Sequence, residues 1–88
     1  MQTINELRAN LPIQFVVDFH IENDPEVKLL ESRIHAGELA AIEELEITVA
    51  WILENEIENF PGKETFSSSF LRRMKMLVRT KQILAQED

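Results

Sequence analysis

A stretch of thirty-seven residues that begins at Asp24 most constrains what this chain can fold into. It contains no proline after Pro25 and a single glycine, Gly37. Asp24 can accept hydrogen bonds from the free amides of a first helical turn, and Pro25 stands where a helix tolerates a missing N–H. The stretch therefore predicts one long helix, or two helices in series, over residues 24–59.

The end of this stretch is marked by Pro61 and Gly62, which cannot continue a helix and suit a turn over residues 60–64. Within the stretch, apolar residues recur three or four positions apart, with one seven-residue step across Gly37. This is the spacing of the buried side of a helix. The apolar stripe consists of Val27, Leu30, Ile34, Ala41, Leu45, Val49 and Ile52. We expect it to form the core.

An unbroken helix over this stretch would be about 54 Å long, at roughly 1.5 Å per residue. A compact chain of 88 residues has a radius of gyration of only about 12 Å. Either the helix breaks near residues 35–37, which we favour, or it stays whole and a second copy of the chain covers the overhang. Alternating apolar residues over 45–52 leave a strand there as an alternative. The helix-forming residues before it, with no turn residue between, favour a helix.

The N-terminal third predicts a short helix and then a strand. Thr3 and Glu6 match a capping box, which predicts a helix over residues 4–9. From residue 13 apolar residues recur at every second position. This alternation predicts a strand over residues 13–21 with one buried, apolar face. The residues on that face are Ile13, Phe15, Val17, Phe19 and Ile21.

The backbone N–H and C=O groups of this strand need hydrogen bonds from another strand, whereas the rest of the chain is predicted to be helical. We expect it to pair with the same strand of a second copy across a two-fold axis, which predicts a homodimer. A strand within residues 45–52 and strand addition to another protein are the alternatives.

A last helix is predicted over residues 66–85, capped by Thr65 or by one of the serines that follow it. Its apolar residues fall within one broad arc at 100° per residue. Basic residues lie on the far side of that arc, namely Arg72, Lys75 and Arg79, with Arg73 at the edge. The helix is therefore amphipathic, with a basic outer side.

Charge is distributed unevenly along the chain, whose net charge is −7. Residues 22–64 hold twelve acidic residues and three basic ones, whereas residues 72–81 hold five basic residues and no acidic one. Such asymmetry fits a partner of either sign, or two helices that neutralise each other. The chain contains no cysteine, which excludes disulfides, thiolate metal sites and thiol catalysis. We found neither a leader pattern nor a membrane-spanning run, and expect a cytoplasmic protein.

The basic stripe on the last helix is the one cluster of nucleic-acid-binding type. Cations spaced three and four residues apart on one face can follow phosphates. The overall charge opposes binding to a polyanion, and the acid-rich helix before it offers a nearer partner. We therefore favour a structural role for this stripe and keep DNA or RNA binding as the alternative.

Ile47 and Trp51 lie on the side of the helix opposite the apolar stripe, one turn apart. They are surrounded by Glu43, Glu44 and Glu54. An apolar pair centred on a tryptophan and ringed by charge has the composition of a protein interface. The alternative is that the helix is sandwiched between other elements and Trp51 belongs to the core.

Catalytic and metal-binding patterns are weak. Asp18 and His20 share a face of the predicted strand, and Glu31, His35 and Glu38 lie on neighbouring helical turns, but neither set has a distinctive spacing. No glycine elbow surrounds the serines at 67–69, and the chain has no glycine-rich phosphate loop. We expect no enzyme activity, no metal and no cofactor.

The sequence thus predicts a single small domain over residues 1–88, mainly α, with three to four helices and one N-terminal strand. A small α+β fold with a second strand at 45–52 is the alternative. The predicted function is that of a non-enzymatic cytoplasmic module that binds another protein, as an adaptor, inhibitor or regulatory subunit. A DNA- or RNA-binding regulator is the second choice. Imitation of phosphates by the acidic helix is a third.

Overall fold

A computed structural model describes residues 13–86 and consists of four α-helices and one 3-10 turn in that range. The α-helices are α1 (Ile13–Glu22), α2 (Pro25–His35), α3 (Ala41–Asn55) and α4 (Ser69–Ala85), with the 3-10 turn at Lys63–Thr65. The mainly helical fold class is confirmed. The helix predicted over residues 4–9 lies outside the described residues.

Helix α2 begins where the sequence predicts a helix start. One carboxylate oxygen of Asp24 accepts hydrogen bonds from the backbone amides of Glu26, at 2.9 Å, and Val27, at 3.2 Å. Pro25 occupies the first helical position, where no amide is needed. Two of the free amides at the helix start are therefore satisfied by one side chain.

The helix ends before Gly37, which has a φ of 105°. The backbone amide of Gly37 donates to the carbonyl of Ile34, and the amide of Glu38 donates to the carbonyl of Arg33 at 2.9 Å. This pair of bonds is the Schellman ending, which needs a residue in the left-handed region and therefore favours glycine. The chain thus forms two helices in series, and the unbroken rod is wrong.

Helix α3 covers the segment for which a strand was the alternative, so no second strand forms at 45–52. It ends at Asn55, four residues before the predicted end. Glu54, Glu56 and Glu58 stand at the negative end of the helix dipole, which disfavours continuation. The Asn55 side chain also donates to the carbonyl of Trp51.

The strand predicted over residues 13–21 is wrong, because these residues form α1. A helix satisfies its own backbone groups, so it needs no neighbour to pair with. It also brings Val17 and Ile21 to one face, where both are buried, and leaves Ile13, Phe15 and Phe19 exposed. The homodimer built on strand pairing loses its basis.

Helix α4 begins three residues later than predicted, at Ser69. Residues 63–65 form the 3-10 turn, and the Phe66 ring packs edge-on against Phe60 with ring centres 5.9 Å apart. Ser68 is the cap, since its hydroxyl accepts a hydrogen bond from the Leu71 amide at 3.2 Å.

The apolar stripe of the central helices forms the core, as predicted, and all seven of its residues are at most 2% exposed. Helices α1 and α4 complete it. Their buried apolar residues are Val17, Ile21, Phe70, Met74 and Val78. The core is therefore one cluster to which all four helices contribute.

The helices are joined as a hairpin of α2 and α3, with α4 returning along α3. Lys75 of α4 pairs with Glu46 of α3 at 3.2 Å, while the first turn of α4 lies beside the later part of α3. The two helices therefore run in opposite directions. Helix α1 packs on the first half of α4, and none of the helices described is long and apolar enough to cross a bilayer.

Candidate functional site

The outer side of α3 carries an exposed apolar pair among carboxylates. Ile47 is 72% exposed and Trp51 is 55% exposed. Glu43 and Glu54 are exposed on the same side of the helix, one on each flank of the pair along the chain. We call these four residues, Glu43, Ile47, Trp51 and Glu54, the acidic face of α3.

The acidic face points outward because the opposite side of α3 fills the core. Residues two positions apart on a helix lie about 200° apart, so burial of Leu45 and Val49 leaves Ile47 on the outside. Trp51 follows Ile47 by one turn and shares its side. No described helix covers this side, so Trp51 is not part of the core.

Glu44 differs from the other predicted site residues because it forms an ion pair with a residue of the neighbouring helix α2. The Arg33 guanidinium donates to Glu38 at 2.7 Å and to Glu44 at 3.0 Å. Glu38, and to a smaller extent Glu44, raise the pKa of Arg33 above its ordinary value through these hydrogen bonds and their charge. Glu44 therefore joins the last turn of α2 to the first turn of α3.

The predicted basic residues of α4 are partly paired within the chain. Lys75 pairs with Glu46 of α3 at 3.2 Å, and Arg73 pairs with Glu22 of α1. Arg72 donates to the Ser67 hydroxyl at 3.1 Å. Arg79 makes no ion pair with any residue in the described range. Two of the four cations thus neutralise carboxylates on neighbouring helices, as the structural interpretation of the stripe predicts.

An exposed apolar pair also lies among the cations of α4, and the sequence reasoning missed it. Met76 is 64% exposed and Ile83 is about half exposed. Turned at 100° per residue, both fall on the same side as Arg72 and Arg79. The spacing of these residues, three and four positions apart, would have placed the apolar pair beside the cations from the sequence alone. We call these four residues, Arg72, Met76, Arg79 and Ile83, the basic face of α4.

An open groove of about 380 Å³ separates α3 from α4. Val49, Leu53 and Leu71 contribute apolar surface to it, and Glu46 and Lys75 bridge it. The groove is therefore bordered by an acidic helix on one side and a basic helix on the other.

A third exposed apolar pair lies on α1. Phe15 and Phe19 are 64% and 69% exposed and lie one turn apart. The predicted strand placed both on its apolar face, together with Val17 and Ile21. The helix separates them, because residues two positions apart point to different sides of a helix and to the same side of a strand.

Neither weak catalytic set forms a site in the described residues: His35 lies 4.0 Å from Glu31 on the surface of α2, while Glu38 pairs with Arg33. Asp18 is buried and accepts hydrogen bonds from the Ser68 hydroxyl, at 3.0 Å, and the Gln14 amide, at 2.7 Å. His20 is exposed and lies 3.1 Å from Glu56. The contacts of Asp18 with Ser68 and of His20 with Glu56 join α1 to the cap of α4 and to the end of α3, whereas the bond from Gln14 lies within α1. Among residues 13–86, no cluster of three metal-ligating side chains occurs.

Comparison of the chain with protein-family models, with curated proteins and with solved structures finds no match. The exposed faces of the helices are the features of the described residues that point to a function.

Proposed function

We propose that this chain is a non-enzymatic protein-interaction module, of the kind that serves as an adaptor, an inhibitor or a regulatory subunit, and that the acidic face of α3 contacts its protein partner. The observation that supports the proposal is the exposure of Ile47 and Trp51 one turn apart on a rigid helix. Tryptophan is among the residues most enriched where binding energy concentrates.

Both side chains lose contact with water when a partner covers them, and this burial of apolar surface favours binding. A central tryptophan of this kind typically contributes about 2 kcal/mol or more to binding, which is roughly 30-fold in Kd. Because the two residues are held on a well-packed helix, little conformational entropy is lost when they bind.

Glu43 and Glu54 add selectivity to this apolar contact. Neither makes an ion pair with a described residue, so their charges are available to a partner. Carboxylates at the rim of an interface favour a basic partner surface and accelerate its association at low salt. The partner surface that fits is therefore apolar at its centre and basic at its edge.

Nucleic-acid binding by α4 has weaker support. Lys75 and Arg73 already pair with carboxylates of α3 and α1. Glu46 also lines the groove together with Arg72, and its carboxylate would repel phosphates there.

A photo-crosslinking amino acid placed at position 47 tests the proposal in cells. Position 29 is the matched control, because Leu29 is similarly exposed, at 60%, but lies on α2. We expect crosslinked adducts with a second polypeptide from position 47 and not from position 29. The Trp51→Ala substitution should reduce those adducts about tenfold or more.

Circular dichroism and thermal melting of Trp51→Ala show whether the effect is on binding alone. We expect a change in stability within about 0.5 kcal/mol, as for other exposed sites. An absence of adducts at position 47, equal adducts at both positions, or unfolding of the variant would contradict the proposal.

A further inference from the structure

The acidic face of α3 and the basic face of α4 complement each other in charge and in apolar content. Each face consists of two exposed apolar residues and two exposed charged residues. The charges are negative on one face and positive on the other. Each therefore fits the kind of surface that the other presents.

We propose that the partner of the acidic face is a second copy of this chain, whose basic face on α4 lies against it. The inference rests on the proposed function, because it names the partner of the same face. In a two-fold pair each copy supplies one acidic face and one basic face, so the contact between an acidic and a basic face forms twice.

The arrangement of α3 and α4 within one chain makes this pairing geometrically possible. The two helices lie side by side in opposite directions, at a level set by the Glu46–Lys75 pair. A two-fold axis parallel to the helices would place α3 of one copy over α4 of the other and would keep that level. Glu43 would then lie near Arg79 of the second copy, and Ile47 near Met76.

A second copy fits these faces better than a foreign protein, because a closed two-fold pair engages the acidic face and the basic face of each copy at the same time. A foreign partner that covered the acidic face would leave the basic face exposed. The net charge of −7 repels copies at long range, but at about 0.15 M salt the screening length is roughly 8 Å. Charges in contact across the pair are screened less.

The test is the solution mass of the purified chain, measured by sedimentation from about 1 µM to about 1 mM in 0.15 M salt. Two variants each reverse one charge of the expected contact, Glu43→Lys and Arg79→Glu. The matched controls Glu64→Lys and Lys28→Glu make the same changes in net charge at exposed positions outside both faces.

We expect a monomer–dimer equilibrium for the unmodified chain and for both controls. Each face variant should weaken association about tenfold or more, since the reversal occurs twice in every pair. Mixing the two face variants should restore dimers, because both contacts of a mixed pair join opposite charges. One contact joins the two introduced side chains, and the other joins the original Glu43 and Arg79. Circular dichroism should show that both variants keep their helix content.

A monomer at every concentration overturns the inference, and so does a mixture that fails to recover. Assemblies that grow without limit also overturn it, because they indicate an open chain and not a closed pair. If the purified chain is monomeric while position 47 still crosslinks a different polypeptide in cells, the inference fails and the proposed function stands.

Discussion

The inner and outer sides of α3 carry apolar residues of the same kind in very different surroundings. Leu45 and Val49 on the inner side are at most 1% exposed, whereas Ile47 and Trp51 on the outer side are more than half exposed. The difference arises from the helical repeat, which places residues two positions apart on nearly opposite sides. It teaches that apolar residues in one helix can serve two purposes, stability inside and contact outside.

Helix α1 shows the same contrast over a shorter length. Val17 and Ile21 are fully buried, and Phe15 and Phe19 are exposed. In each helix the largest side chain of these four is on the outside, an aromatic ring in both cases. Size and hydrophobicity alone therefore do not identify the core of this protein.

The largest effect on stability is expected when an inner residue of α3 is truncated. Leu45→Ala leaves a cavity in the core to which all four helices contribute, and we expect it to lower the free energy of unfolding by about 2–5 kcal/mol. Urea denaturation followed by circular dichroism measures the loss. A loss below about 1 kcal/mol would show that the inner side of α3 is not tightly packed.

A smaller effect is expected from Asp18, the one acidic residue that is buried among residues 13–86. Asp18→Ala removes the acceptor shared by Ser68 and Gln14 and should cost about 1–3 kcal/mol in the same measurement. Glu22→Ala is the control, because its ion pair with Arg73 lies at the surface and should contribute less than about 1 kcal/mol. Equal losses for the two variants would mean that the buried network does not hold α1 in place.

The smallest effect is expected on the outer side of α3. Ile47→Ala removes apolar atoms that are already in water, and alanine is the better helix former. We expect stability to stay within about 0.5 kcal/mol, or to rise slightly, when it is measured at low protein concentration where association does not contribute. A loss comparable to that of Leu45→Ala would show that the outer side is packed and not free.

The parts of the fold that depend on local signals could be predicted from the sequence. Asp24 and Pro25 signal a helix start by their own chemistry, and Gly37 signals a helix end through its backbone freedom. The apolar stripe between them identifies the core because its period of three and four leaves only one side to bury. These signals need no knowledge of the neighbouring helices.

Helix α1 could not be predicted in the same way, because its apolar pattern fits two structures. Alternation over residues 13–21 suits a strand, while Val17 and Ile21 suit a helix equally well. The choice depends on whether a pairing partner exists for the backbone and on where Asp18 finds its hydrogen bonds. Both depend on the tertiary structure.

For the candidate site, the sequence correctly placed Ile47 and Trp51 opposite the stripe, but left open whether another helix covers them. It also proposed Glu44 as part of the site, whereas Arg33 engages that carboxylate. Exposure is a property of the whole packing arrangement, so no local pattern determines it. The basic face of α4 was half identified, because its cations were noted and its apolar pair was not.

By itself the sequence determined that this chain is mainly helical, where its central helices start and break, and which of their sides is apolar. Only the tertiary structure decided that residues 13–21 are helical and that the outer sides of α3 and α4 stay uncovered. The physical reason is range: caps, turns and helical repeats act within a few residues, while burial and pairing depend on segments far apart in the chain.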